Sequence, residues 1–391
     1  MRVGIVHSSL NVAGGADRLC LKTIEALREA GHKVMLATVE PTDWKKVGRI
    51  LGKIVRPNEE TSLINFKLKM FGIYMRLLTS FSALKLRKKC DVVVNTHGDV
   101  LPVRADITYM HYPMFALLRS APINTKYSES LFWRAYFAPY EGIQGFLFRK
   151  FLEGIILTNS NFSKKAIKKY SGKDSVVIYP PVDIQKFTMV TNNNKKRKNI
   201  VISCGRYSIE KNYEFILKVA DKIRGKVKFI IIGTISGWSS KKYYEKLNKI
   251  KKERHLENVE LLKDVPLKNL LELYGKAKIY MHAMKYEHFG ISIVEGMAAG
   301  LVPIVHRSGG PWEDILKAKQ GVYGFSYMTV DEAVEFVEKL ITNDSLAKEI
   351  VSRNMKYVHL FSSECYKKNI LNEIEKFKMN RSDLNEDPFF G

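Results

Sequence analysis

Arg2-Val-Gly-Ile-Val-His-Ser-Ser-Leu-Asn-Val-Ala-Gly-Gly-Ala-Asp17 decides the architecture of this 391-residue chain. Its first residues form a short apolar run with alternation, and the small-residue loop Asn11-Val-Ala-Gly-Gly-Ala16 follows at once. From Asp17 onward, Leu19, Ile24, Leu27 and Ala30 recur at helical spacing until Gly31 ends the helix, and Lys33–Glu40 resumes as a strand. Strand, glycine loop, helix, strand is the start of a doubly wound α/β sheet. Further along, Asp91–His97, Asp106–Pro113 and Gly154–Ser160 each read as a strand ending in polar residues.

The rhythm breaks at Thr191-Asn-Asn-Asn-Lys-Lys-Arg-Lys-Asn199, a polar stretch with the composition of a linker, and then restarts. Strands are predicted over Asn199–Arg206, Val227–Thr234, Ile279–Met284 and Val302–His306, and helices over Asn212–Gly225, Asn269–Ala277 and Gly290–Ala299. Two Rossmann-like domains in series are therefore expected, residues 1–190 and 198–362, with a helix at about 364–380 crossing back to the first. The final stretch, Asn380–Gly391, reads as a poorly packed end.

A hydrophobic share of 46% and a charged share of 27% exclude a disordered or fibrous chain. Four scattered cysteines, with no C-x-x-C pair, fit small core or near-core residues of a reducing compartment. No apolar run approaches the ~18 residues needed to span a bilayer, and the N-terminus lacks a signal-peptide core, so a cytosolic location is expected. The net charge is +24. Residues 1–185 hold 28 Lys and Arg against 15 Asp and Glu, leaving +11 for the rest, so the excess is spread over both halves. A surface of this sign attracts nucleic acid, anionic lipid or phosphorylated substrates.

Chemistry concentrates in Glu287-His-Phe-Gly-Ile-Ser-Ile-Val-Glu-Gly-Met-Ala-Ala-Gly300. A helix beginning at Gly290 leaves backbone N–H groups free to bind a phosphate. Glu295, eight residues after Glu287, sits where a carboxylate could accept from a ribose diol. The plainer alternative is a helix with one Glu on its dipole and one in solvent. Gly205-Arg-Tyr-Ser-Ile-Glu-Lys-Asn212 places Arg206 and Lys211 on a loop directly after a strand, a pattern that suits a diphosphate or a solvated loop. Ser308-Gly-Gly-Pro311 is compatible with close approach to a ligand or with simple turn chemistry. His97 and His111 each end a strand, where a histidine is more often structural than catalytic.

The Gly205–Asn212 segment, followed about 75 residues later by Glu287–Gly300 and then by Pro303-Ile-Val-His-Arg-Ser-Gly-Gly-Pro311, resembles the retaining glycosyltransferase family 4, of the GT-B fold. The likeness covers nearly the whole chain. Within the family, Met110–Pro113, Val177–Pro181, Glu287–Gly290 and Ser308–Pro311 are most similar to the α-1,2-mannosyltransferases that extend dolichol-linked oligosaccharide. The resemblance implies two Rossmann-like domains facing each other across a donor-binding cleft. It implies that Gly14 and Gly15 let donor and acceptor approach the backbone, and that His111 lies beside the transferred sugar. It matches Arg206 and Lys211 to the diphosphate, Glu287 to the donor sugar, Glu295 to the ribose, and backbone groups of Phe289 and Gly290 to sugar and phosphate. Two departures stand out: Asp17 occupies a place where the family often has Glu, and Ser362-Ser363 replaces an aromatic near the crossover.

The sequence contains no D-x-D, the usual anchor of a divalent metal in nucleotide-sugar enzymes, so a metal-independent reaction without cofactor is expected. The resemblance implies retention by same-face attack, with GDP-mannose as the favoured donor and a lipid-linked glycan as acceptor. Residues 66–89 hold seven basic and no acidic side chains among many apolar ones, the composition of a basic amphipathic helix on an anionic membrane. The aromatic-rich residues 131–151 suit a membrane interface or a packed core equally. A family 4 transferase with a UDP-sugar donor, a nucleic-acid-binding protein and a catalytically silent scaffold are the alternatives. Of these, nucleic-acid binding rests on charge alone.

Overall fold

The computed structural model describes residues 1–66, 72–98, 105–113, 131–152, 154–191 and 197–385. They divide into two compact units: one from the described residues of 1–113, 131–181 and 363–385, the other from those of 182–362. The chain thus leaves the first unit at Pro181, earlier than the expected boundary at 190. The reason is local, since Ile184 and Phe187 are buried, and the Phe187 ring lies 5.7 Å from that of Tyr274.

Among its described residues the first unit holds seven parallel strands: β1 (Arg2–Val6), β2 (Lys33–Thr38), β3 (Glu59–Ser62), β4 (Val92–Asn95), β5 (Ile107–Met110), β6 (Ile155–Thr158) and β7 (Val176–Val177). Their order is β3-β2-β1-β4-β5-β6-β7, so the winding reverses between β1 and β4. Helices α1 (Gly15–Glu29), α2 (Trp44–Leu51), α3 (Thr79–Arg87), α4 (Leu131–Phe151) and α5 (Asn161–Ser171) connect them. Val3 and Ile5 of β1 pack with Leu19, Ile24 and Leu27 of α1, the residues whose spacing announced the helix.

The second unit begins with α6 (Ile184–Thr188) and holds β8 (Ile200–Arg206), β9 (Lys228–Thr234), β10 (Val259–Lys263), β11 (Ile279–His282), β12 (Val302–His306) and β13 (Phe325–Tyr327). These strands too are parallel, in the order β10-β9-β8-β11-β12-β13, with the reversal between β8 and β11. The helices are α7 (Tyr213–Lys222), α8 (Gly237–Glu253), α9 (Leu267–Lys276), α10 (Ile291–Ala298), α11 (Val330–Thr342) and α12 (Asp344–Tyr357). Ile216, Val219, Phe229, Ile231, Met281 and Ile304 belong to a single core.

Helix α13 (Ser363–Asn385) returns to the first unit. Tyr366, Ile370 and Ile374 are buried in the β1–α1 core, and Tyr366 Oη is 2.6 Å from Thr23 Oγ1. Serines at 362 and 363 do not prevent this docking, because the apolar stripe that drives it lies further along the helix. The backbone of residues 380–385, read from sequence as part of a loose end, continues the helix.

The two lipid-surface candidates also differ from expectation. Of residues 66–89, 67–71 lie outside the described residues, and 72–87 form a 3-10 helix (Gly72–Leu78) and α3. Helix α3 buries Ala83 and Leu86 against the sheet and exposes Phe81, Leu84 and Lys85. Lys88 and Lys89 follow its end and are exposed, and Arg87 is paired with the buried Asp106. Helix α4 divides its apolar side chains: Phe137, Tyr140 and Phe148 are buried, and Leu131, Phe132, Ile143 and Phe146 are exposed. No helix of the described residues is long and apolar enough to cross a membrane.

Candidate functional site

In parallel sheets of this kind ligands bind beyond the C-terminal strand ends, where the winding reverses. In the second unit those ends are Arg206 of β8 and His282 of β11. After β8 the chain makes one 3-10 turn, Ile209–Lys211, and passes through Asn212 in the left-handed region (φ 51°) before α7 begins. This returns Lys211 toward the β11 end, where its Nζ donates to Glu287 Oε2 at 2.6 Å. His282 Nε2 lies 3.2 Å from the same oxygen. Both members of the ion pair are mostly buried, with side chains 17% and 15% exposed.

Burial pushes the Glu287 carboxyl up, but the Lys211 ammonium, with His282 next, overcomes it and holds the group well below the usual carboxylate range. Burial is also the first reason that the neighbouring His282 and His288 are depressed, His288 to about 4. At neutral pH the site therefore carries an ionised Glu287 with uncharged imidazoles around it.

Ser308-Gly309-Gly310 explains how Glu287 is held. Ser308 Oγ accepts from the Tyr286 N–H at 2.9 Å and is 2.8 Å from His306 Nδ1. The Gly310 N–H donates to the Glu287 carbonyl at 2.9 Å. A Cβ at Gly309 (φ 71°) would lie 2.3 Å from the Glu287 oxygen, and one at Gly310 would lie 2.2 Å from that of His288. These glycines are therefore required by close approach to the Glu287 loop itself.

Gly290, with φ 101°, precedes the first residue of α10, and a Cβ there would strike Ile293. The Phe289 ring is buried 5.5 Å from that of Phe361, so this residue offers a ligand only its backbone. Glu295 lies on the second turn of α10, half-buried, and acts electrostatically on Tyr280 of β11 and Tyr274 of α9. Arg206 stands apart: its side chain is 65% exposed and reaches Glu210 only at 3.5 Å. Lys211 and Glu287 are thus brought into direct contact, whereas Arg206 extends from the strand end into solvent.

The first unit repeats the arrangement. Beyond β1 and β4 lie His7, Ser8, Thr96 and His97. His7 Nε2 is 2.9 Å from Asp17 Oδ1, His7 Nδ1 is 3.0 Å from Thr96 Oγ1, and Ser8 Oγ is 2.9 Å from His97 Nδ1. His111, just past β5, has Nε2 3.4 Å from the Thr96 carbonyl, and its own carbonyl accepts from Ser163 Oγ at 3.0 Å. Gly98 (φ 73°) allows this, because a Cβ there would lie 2.1 Å from the Tyr109 carbonyl. Gly14 precedes α1 and Gly15 is its first residue, but the Gly14 N–H is already taken by Asp17 Oδ2 at 2.9 Å. Sequence reasoning missed His7, Asp17, Thr96 and His282 as partners in these clusters. For His7, Thr96 and His282 the signal was a polar residue closing an apolar strand run, whereas Asp17 lies in the first turn of α1.

Comparison with known proteins bears on both units. Residues 185–357 match the family described as Glycosyl transferases group 1. A GDP-Man:Man(3)GlcNAc(2)-PP-Dol alpha-1,2-mannosyltransferase of Dictyostelium discoideum is 30% identical over 187 residues, 44% of this chain and 37% of the relative. The protein of that name from Homo sapiens is 24% identical over 296 residues, 69% of this chain and 60% of the relative. The chain therefore spans less than two thirds of the length of these relatives. Among solved structures, Anabaena HepE in complex with UDP and glucose superposes with a TM-score of 0.71 at 16% identity, covering 96% of this chain and 99% of that one. WaaG, a glycosyltransferase involved in lipopolysaccharide biosynthesis, gives 0.68 at 13% identity, covering 95% and 99%. These likenesses show the fold, GT-B, with two Rossmann-like domains of parallel sheet.

Proposed function

We propose that this chain, whose residues 185–357 match the Glycosyl transferases group 1 family, is a retaining glycosyltransferase that moves mannose from GDP-mannose to a lipid-linked glycan. The observation that carries the proposal is the Lys211–Glu287 pair, set at the strand reversal of a parallel sheet with the N-terminus of α10 next in sequence. Mannose and a dolichol-linked acceptor are favoured by the names of the relatives from Dictyostelium discoideum and Homo sapiens.

In this reading Glu287 contacts hydroxyls of the donor sugar, and Glu295 accepts from the ribose diol. An ammonium carries three donors. Lys211 gives one to Glu287 and a second to Met284 Sδ at 3.5 Å, and turns the third to the diphosphate, which Arg206 and the free N–H groups at Gly290–Ile291 also neutralise. His111 stands beside the transferred sugar. The acceptor hydroxyl attacks the anomeric carbon on the face the diphosphate leaves. The new C–O bond forms as the bond to phosphate oxygen breaks, and that oxygen takes the acceptor proton. No divalent metal takes part.

The same reading puts the protein on the cytosolic face of a membrane. Phe81 and Leu84 beside Lys85, Lys88 and Lys89 support an anionic surface as partner, as do exposed Leu131, Phe132, Ile143 and Phe146 on α4. Thermal-shift titration with GDP, UDP and ADP, each alone and as its sugar, tests the donor, because a ligand of the native state raises its stability. Preference for GDP, with mannose transfer to a lipid-linked glycan, is expected. Stabilisation by UDP alone, or no transfer with any donor, would overturn the proposal.

A further inference from the structure

The loop Asn11–Gly15 carries the backbone that the first unit presents next to the β1–β4 reversal, and its shape depends on a buried pair with no assigned role. We propose that Asp17 and His7 are positioning residues that hold this loop, and with it the edge bearing His111, in one conformation.

Three observations carry this. First, Asp17 divides its carboxylate: Oδ1 faces His7 Nε2 at 2.9 Å and Oδ2 accepts from the Gly14 N–H at 2.9 Å. One side chain therefore ties the loop to the end of β1. Second, His7 is held at both ring nitrogens, the other being 3.0 Å from Thr96 Oγ1, and the Thr96 carbonyl is the group that His111 Nε2 approaches at 3.4 Å. A continuous chain of polar contacts thus runs from Gly14 through Asp17, His7 and Thr96 to His111. Third, the loop is in a conformation that needs holding. Ala13 lies in the left-handed region (φ 56°), which disfavours any residue with a Cβ, and Val12 is exposed at the tip. Asn11 secures the other end of the loop, its amide donating to Glu40 and Pro41 and its Oδ1 accepting from the Asp43 N–H.

A buried aspartate that served only stability would need a donor for each oxygen but no particular chain of partners. Here both His7 and Asp17 are buried, and the contacts to Thr96 and Gly14 lead to segments at the sheet's C-terminal edge. Burial works against charge on His7, but the nearby Cys20 and Asp17 raise it, to about 10, so the pair stays joined at neutral pH. Asn at position 17 can keep the geometry without the charge: its Oδ1 accepts from Gly14 while its amide donates to a neutral His7 Nε2, whose Nδ1–H then faces Thr96.

The test uses the full-length chain and two readouts. Hydrogen exchange over residues 11–16 should accelerate at least tenfold in Asp17→Ala, with β8–β13 unchanged, and should stay near the parent rate in Asp17→Asn. The second readout rests on the proposed mannosyl transfer. Asp17→Ala should lower kcat at least tenfold with the KM for GDP-mannose within twofold, because the nucleotide residues lie in the other unit, and Asp17→Asn should restore most of the rate. His7→Phe should resemble Asp17→Ala. Unchanged loop exchange in Asp17→Ala overturns the proposal whether or not the parent transfers mannose. So does faster exchange spread evenly over the whole first unit, or normal kcat with a freed loop. A parent without transfer activity refutes the functional reading and leaves the exchange result to decide this one.

Discussion

Replacing Lys211 with Met removes one member of the Lys211–Glu287 pair and keeps the length of the side chain. Breaking a buried ion pair from one side costs about 3–5 kcal/mol, because the remaining charge stays desolvated. Two features place this case at the low end. The side chains are 17% and 15% exposed, so some water reaches them, and His282 Nε2 is 3.2 Å from the orphaned carboxylate. A loss of about 3 kcal/mol is expected, and in a domain of this size each kcal/mol shifts the midpoint by roughly 2–4 °C, giving a Tm lower by roughly 6–12 °C. The shift should also depend on pH. Burial and Lys211 both hold His282 down while Glu287 raises it, so loss of Lys211 raises the folded-state pKa of His282. In the parent the depressed His282 costs stability as pH falls below the unfolded value of about 6.5, and in the variant, where it is less depressed, less is lost. The gap between parent and variant should therefore be smaller at pH 5.5 than at pH 8. Turnover should fall by about 10²-fold at either pH if Lys211 faces the leaving diphosphate. Differential scanning fluorimetry at the two pH values, with a donor turnover assay, reads both effects. A midpoint within 2 °C of the parent at pH 8, with near-normal turnover, would refute the reasoning.

Glu295→Ala should weaken donor binding by about 1–3 kcal/mol, roughly 5- to 150-fold in Kd, through loss of a charged ribose contact; unchanged affinity in a donor titration removes Glu295 from the site. Acid should destabilise the second unit from pH 6.5 downward, because His288 and His306, both depressed to about 4 chiefly by burial, are uncharged when folded and protonate on unfolding. The stability they contribute is lost as pH falls from 6.5 toward 4, and a flat stability profile over that window would contradict it. Transfer should persist in EDTA, and a loss restored by magnesium or manganese would count against the metal-free mechanism. Changing Lys85, Lys88 and Lys89 together to Gln should release the protein from anionic vesicles, each cation near such a surface being worth on the order of 1 kcal/mol. Arg87 is left out because it is paired with Asp106. Co-sedimentation equal to the parent would shift the membrane contact to the exposed face of α4.

The sequence by itself determined the class of each unit and the segments that carry the site. Periodicity of 2 and 3.6 is a local property, so β1, α1, β8, β9, α10 and β12 were legible in Arg2–Val6, Gly15–Glu29 and their counterparts. The loops Gly205–Asn212 and Glu287–Gly300 could be singled out for the same reason, since glycines and charges at strand ends signal themselves over a few residues. Only the tertiary structure decided which of those groups meet. Lys211 and Glu287 are 76 positions apart, and their contact depends on the order β8-β11, in which β9 and β10 are wound to the other side. The His7–Thr96 contact spans 89 positions and depends on the same kind of reversal between β1 and β4. The glycines at 309 and 310 looked equally fit for a ligand or a turn, and packing assigned them to the Glu287 backbone. Arg206 and Lys211 looked alike as loop cations until one was buried against a carboxylate and the other left in solvent. Composition and spacing specify which chemistry a segment can offer, whereas burial and partner, which set its charge, arise from contacts between segments remote in the chain.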